Sequence, residues 1–202
     1  MTYRNSTYTA FYVDEEYFNN NLGAFMAKDF CYFQMLKLWK QADTKFPFID
    51  AHGKTYNVRD GSDWEGTLKP RLHERLRMSK NMILILSENT KQSKALREEI
   101  VYGIDALELP VIVAYPTIEF VGHGTGLSNR AVDLWDNLPA FRDRIEKVPT
   151  AHIPFKKEFF SKALTDLRFS VVTKTENCCV GFNSIHDQRV QEFKDELFSR
   201  IG

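Results

Sequence analysis

The chain has 202 residues with 27 acidic and 27 basic side chains, so it carries no formal net charge, and its content is 43% hydrophobic and 13% aromatic. That much apolar material over this length fits one large domain, or one domain with a substantial appendage, and argues against a disordered chain. The balanced charge lacks the basic excess of a nucleic-acid binder, and no apolar run reaches the roughly 20 residues needed to span a bilayer.

Residues 7–13 (Thr-Tyr-Thr-Ala-Phe-Tyr-Val) are β-branched and aromatic and predict a first strand, which ends at Asp14-Glu15-Glu16. Phe33, Leu36, Leu38 and Trp39 predict a helix from Phe30 to about Gln41. Residues 46–49 read as a short second strand that ends at Asp50-Ala51-His52. Residues 53–66 hold Gly53, Asn57, Asp60, Gly61 and Gly66, a long turn-rich loop. Ser62-Asp63-Trp64-Glu65 fits a capping box, but a helix starting there would enclose Pro70. A start near Thr67 puts the proline in the first turn and is preferred. The cations between Lys69 and Arg77 alternate with Leu68, Leu72 and Leu76, which marks the solvated face of an amphipathic helix.

A third strand is predicted over 82–86, a helix over 94–107 and a fourth strand over 110–115, closed by Pro116. Residues 117–150 form a low-periodicity insertion, 151–154 an edge strand and 155–167 a last sheet-covering helix. A Thr/Asn/Cys-rich stretch and a terminal helix over 187–201 follow. This alternation predicts an α/β domain over residues 1–170, with a mostly parallel sheet of about five strands covered by helices on both faces. Residues 171–202 are a C-terminal extension.

Several chemistries lack their signatures. Gly122-His-Gly-Thr-Gly126 has no Gly-Lys-Ser/Thr ending and reads as a flexible loop rather than a phosphate cradle. The five histidines show no metal-ligand spacing, and there is no Gly-x-Ser-x-Gly elbow. Cys31, Cys178 and Cys179 form no disulfide framework, and a basic-then-apolar leader is missing. A reduced, cytoplasmic protein is expected, with no metal and no nucleic-acid or membrane partner.

Five segments in order carry a resemblance: Ala10-Phe11-Tyr12-Val13, Leu36-Lys37-Leu38-Trp39, Phe48-Ile49-Asp50-Ala51-His52, Leu72-His73-Glu74-Arg75-Leu76 with Ser79, and Arg97-Glu98-Glu99-Ile100. Together, over roughly residues 7–167, a span of ordinary domain size, the chain resembles TIR-like domains, particularly those in the TIR subunit of the bacterial Thoeris anti-phage system. The resemblance implies a flavodoxin-like fold. It also implies one catalytic glutamate on the helix after the third strand, which by motif position is Glu99. Many such domains cleave NAD+ as substrate, with no further cofactor, and some cyclise the ADP-ribose product into a signal for an effector protein. Others only associate with one another, so a non-catalytic module that self-associates or binds a partner is the alternative. A homo-oligomer fits either case.

Helix geometry separates Glu99 from its neighbour. At about 100° per residue, Glu99 lies about 95° from the core direction set by Leu96, Ile100, Ile104 and Leu107, and Glu98 about 165°. Glu98 is therefore expected in solvent and Glu99 at the helix boundary, flanked by Ala95, Gly103 and Ala106, whose small size leaves room for a ligand. Taken without the resemblance, such a glutamate is a boundary residue hydrogen-bonded to a loop.

One carboxylate suffices for the implied reaction. Ordinary glycosides need a second acid to protonate the leaving oxygen, whereas nicotinamide leaves NAD+ as a neutral base. Phe11 and Tyr12 are candidates to hold a ring of the substrate, one of them facing the core instead, and Asp14, Asp50 and His52 end strands beside the expected cleft. Arg59 and Arg97 are candidates to meet a pyrophosphate. A phosphoacceptor receiver would need a lysine at the end of its last strand, where Tyr115-Pro116 stands here. A nucleoside deoxyribosyltransferase-like enzyme, in which a helix glutamate attacks the sugar, is a further enzymatic alternative.

Overall fold

In the computed structural model, residues 4–13, 29–52, 63–123, 126–174 and 179–181 are described. The main sheet has five parallel strands: β1 (Ser6–Ala10), β2 (Ser79–Ile85), β3 (Val111–Tyr115), β6 (Thr150–Pro154) and β7 (Cys179–Gly181), in the order β1-β2-β3-β6-β7. Two short strands between them, β4 (Gly122–His123) and β5 (Gly126–Leu127), form an antiparallel hairpin.

The central strands are apolar almost throughout because both faces are covered. Side chains alternate between two cores. Met82, Leu84, Val111, Val113 and Tyr115 meet α2 (Lys69–Arg77) and α3 (Lys94–Val101) on one face. Ile83, Ile85, Ile112 and Ala114 meet α1 (Phe30–Ala42) and α6 (Lys157–Thr165) on the other. The predicted flavodoxin-like α/β architecture is thus observed.

The expected second strand is reduced to a single bridge. Thr7 donates its N–H to the Ile49 carbonyl at 2.7 Å, Ala51 donates to the Thr7 carbonyl at 3.1 Å, and Thr7 pairs with Asp50. Pro47 has no N–H to offer a ladder, while Phe46 and Phe48 on either side of it are buried.

The helix expected from Thr67 begins earlier. A wide turn over Trp64–Leu68, hydrogen-bonded five residues back, runs straight into α2, and Asp63 caps it by accepting the Gly66 N–H at 2.5 Å. Pro70 sits where the widened turn becomes α-helix and needs no hydrogen-bond partner of its own. A second wide turn, Tyr102–Ala106, extends α3.

The described residues between 117 and 150 are a folded part of the core. The β4–β5 hairpin, α4 (Asn129–Asp133) and α5 (Pro139–Arg142) set Ile118, Val121, Leu134, Leu138, Phe141 and Val148 against the α2/α3 face of the sheet. Gly122 and Gly126 of the glycine-rich segment belong to that hairpin, where a Cβ on Gly122 would stand 2.5 Å from the Gly126 carbonyl oxygen. Strand β6 is interior, since β7 pairs with its outer edge. The predicted helix over 187–201 lies outside the described residues.

Candidate active site

Strand β1 is flanked by the Asp50 bridge on one side and β2 on the other, so the chain departs from it in opposite directions. In open α/β sheets such a switch point, at the carboxyl ends of the strands, is where ligands bind. Here α1 is tied to that edge by buried Asp29, which accepts hydrogen bonds from the Ser87 hydroxyl at 2.7 Å and the Thr90 hydroxyl at 3.0 Å. Burial raises the Asp29 carboxyl, and the two hydroxyls partly offset that rise.

Strand alternation places Tyr8, Ala10 and Tyr12 on the α2/α3 side and Phe11 on the α1 side. Phe11 stacks on Phe33 at 5.3 Å and lies near Phe30, so it faces the α1 core. Tyr12 packs half-buried against the cluster that contains Tyr8.

Helix α3 is started by Ser93, whose hydroxyl accepts the Leu96 N–H at 3.2 Å. Counted from that cap, Glu99 projects onto β1, where the Tyr8 hydroxyl donates to Glu99 Oε1 at 2.8 Å. Its other oxygen, Oε2, is shielded from solvent and has no hydrogen-bond partner among the described residues. Burial disfavours the charged form and pushes the Glu99 carboxyl up to about 8, although the Tyr8 hydrogen bond and the Arg75 charge pull the other way. The Tyr8 phenol is raised too, first by burial and then by the Glu99 charge and hydrogen bond.

On the far side of Tyr8, the His52 ring lies 4.7 Å away and also meets the edge of Phe33. Asp50 Oδ1 accepts the His52 backbone N–H at 2.8 Å and sits 3.1 Å from His52 Nδ1. Burial alone would raise the Asp50 carboxyl, but the His52 hydrogen bonds outweigh it and hold Asp50 below its usual value. Asp50, His52, Tyr8 and Glu99 therefore form one contiguous row along the β1 edge.

Glu98 is not in open solvent as the helical wheel predicted. Its Oε1 is 2.8 Å from His73 Nε2 and 3.5 Å from Lys69 Nζ, because α2 packs along that flank of α3. The space beside Gly103 is likewise occupied, with the Met82 methyl 3.6 Å from where a Cβ would be. Arg97 is exposed, whereas Asp14 and Arg59 lie outside the described residues.

Tyr8 and Arg75 are the residues that sequence reasoning missed. The signal for Tyr8 was present in the period-two alternation, which sets it on the face of Tyr12 and Glu99. Arg75 sat inside a run read as a solvated helix face and as one of the resembling segments, with no site role given to it. Among the described residues no group of three potential ligands could hold a metal ion, and no helix is long and apolar enough to cross a membrane. Residues 8–119, a span that includes the whole row from Tyr8 to Glu99, match the family model described as Thoeris protein ThsB, TIR-like domain.

Proposed function

Because the chain belongs to the TIR-like domain family of the Thoeris protein ThsB, we propose that it cleaves NAD+ at the nicotinamide–ribose bond, with Glu99 as the catalytic carboxylate. The supporting observation is the Glu99 carboxyl itself, anchored through one oxygen to Tyr8 while the other lacks a partner among the described residues. A buried acceptor without a partner is costly, and a ribose hydroxyl is a donor of the right kind to satisfy it.

The chemistry needs little more. Nicotinamide departs with the electrons of the glycosidic bond and becomes neutral, so no acid must protonate it. Positive charge then develops on the ribose, and a preorganised carboxylate stabilises that charge most effectively where water is excluded. The bound substrate cation also favours the ionised form of Glu99, whose proton passes to solvent. The C1 position is then taken by water, giving ADP-ribose, or by another nucleophile of the same molecule, giving a cyclic product. Either nucleotide serves as a signal to an effector protein in anti-phage defence. Asp50 and His52 support the row from behind Tyr8, and Tyr12 offers a ring to the substrate.

A non-catalytic module acting by association is the second reading. It is favoured by Met35 and Leu38, which lie three residues apart on α1 and are exposed. Incubation of NAD+ with concentrated protein, followed by separation of the nucleotides by mass and retention, distinguishes the two. Free nicotinamide with a matching ADP-ribose-type product supports cleavage, whereas recovery of intact NAD+ at every protein concentration supports the association module. A covalent sugar adduct on Glu99 would instead indicate deoxyribosyltransferase-like attack.

A further inference from the structure

We propose that Tyr8 is a positioning residue for Glu99, fixing the carboxyl through Oε1 so that Oε2 alone is left for the substrate. This rests on the reading of Glu99 as the catalytic carboxylate. Glutamate has three rotatable side-chain bonds, and near-attack geometry requires that they be held. The Tyr8 hydroxyl holds them from a rigid element, at 2.8 Å from the middle of a paired strand. The phenol is itself held, since Tyr8 is buried and its ring is braced by His52, which in turn is fixed by Asp50. The row is therefore a support running from Asp50 to the carboxyl, and it ends at Glu99 Oε2, a buried acceptor without a partner among the described residues.

The same hydrogen bond acts on charge. A hydroxyl donated to a carboxylate stabilises the ionised form, so Tyr8 opposes the effect of burial on Glu99. The other charges around Glu99 are accounted for. Arg75 of α2 also favours ionisation, and Lys69 and His73 of α2 are engaged with Glu98. On α3 itself, Arg97 is exposed. Behind Tyr8, His52 faces Asp50. Tyr8 thus donates a hydrogen bond to Glu99 from β1 while Arg75 acts on it through its charge.

Two changes at position 8 test this. Tyr8→Phe keeps the ring and its packing but removes the donor. The acid limb of kcat/KM for nicotinamide release should then move up by about one pH unit, with kcat lower by about 10- to 100-fold and KM little changed. Replacing Tyr8 with 3-fluorotyrosine keeps the shape and makes a stronger donor, so the limb should move down. A limb that stays in place in both proteins overturns the proposal. Titration of the Glu99 carboxyl by carbon NMR, in wild type and Tyr8→Phe, reads the coupling without any turnover. If no nicotinamide is released yet that titration moves up, the catalytic reading fails and the Tyr8 coupling stands. If nicotinamide is released and neither the limb nor the titration moves, the Tyr8 proposal fails and the catalytic reading stands.

Discussion

Burial of Glu99 makes activity and stability respond to pH in opposite senses. Its folded value of about 8 lies above the ordinary 4.5 of an unfolded glutamate. Activity that needs the carboxylate should rise with pH, and a kcat/KM profile measured from pH 6 to 9.5 should climb through about 8 before levelling. Stability follows the proton. The folded form keeps its proton between 4.5 and about 8 while the unfolded form has lost it, so the contribution of Glu99 is fully present below 4.5 and is lost as pH passes through about 8. Glu99→Gln keeps the acceptor for Tyr8 and removes the ionisation. It should therefore melt higher than wild type at pH 8.5, by several degrees if about 1–3 kcal/mol is recovered. At pH 5 the two should differ less in calorimetric scans. What was legible at this scale was that Glu99, rather than Glu98, lies on the flank facing β1, because 3.6-residue periodicity fixes which flank of a helix meets the sheet. The placement of Glu98 was not, because a wheel drawn against the sheet alone omits a neighbouring helix such as α2.

Elements were readable where one pattern ran long enough to accumulate. Strands β2 and β3 announce themselves as apolar runs bounded by polar residues and proline, and α1 and α3 by their apolar spacing. The insertion was opaque because α4 has five residues and α5 four, fewer than two turns each, so no helical period can register. Its glycine-rich segment was equally hard to read, since the turn chemistry of a two-plus-two-residue hairpin resembles that of a loose loop. Two glycines separate these cases experimentally. A Cβ on Gly103 would meet Met82 and Leu76 only at ordinary contact distances of 3.6 and 3.7 Å. Gly103→Ala should therefore be neutral or stabilising by about 0.5–1 kcal/mol in denaturant unfolding, through lower chain entropy and better helix propensity. Gly122→Ala instead forces a methyl onto a backbone oxygen 2.5 Å away and should cost about 1–3 kcal/mol in the same measurement. Loss of NAD+ cleavage in a stably folded Gly103→Ala would return that flank to the list of substrate contacts.

At the scale of the whole molecule, the site and strand β7 lie on opposite borders of one sheet. Strand β7 is four strands away from β1, about 19 Å across the ladder. It closes the outer edge of β6, whose five residues are all buried. Ending the chain after Lys174 would leave that edge unpaired, and an unpaired apolar edge invites association between chains. The shortened protein should melt lower and aggregate at concentrations that full-length protein tolerates, as light scattering during a thermal scan would record. Unchanged melting and scattering would mean that β7 contributes nothing to the sheet in solution. The family match ends at residue 119, so it does not reach β6 and β7, which complete the sheet at this border.

Whether Glu99 acts on the nicotinamide–ribose bond is tested most directly by the initial rate of nicotinamide release from NAD+ at pH 8.5. Wild type and Glu99→Gln should be compared at equal concentration, after circular dichroism has shown both to be folded. Release by wild type and a fall of about 1,000-fold in the variant is the expected result. Equal rates in the two proteins would remove Glu99 from the chemistry, and no release from folded wild type at any concentration would contradict the enzymatic account.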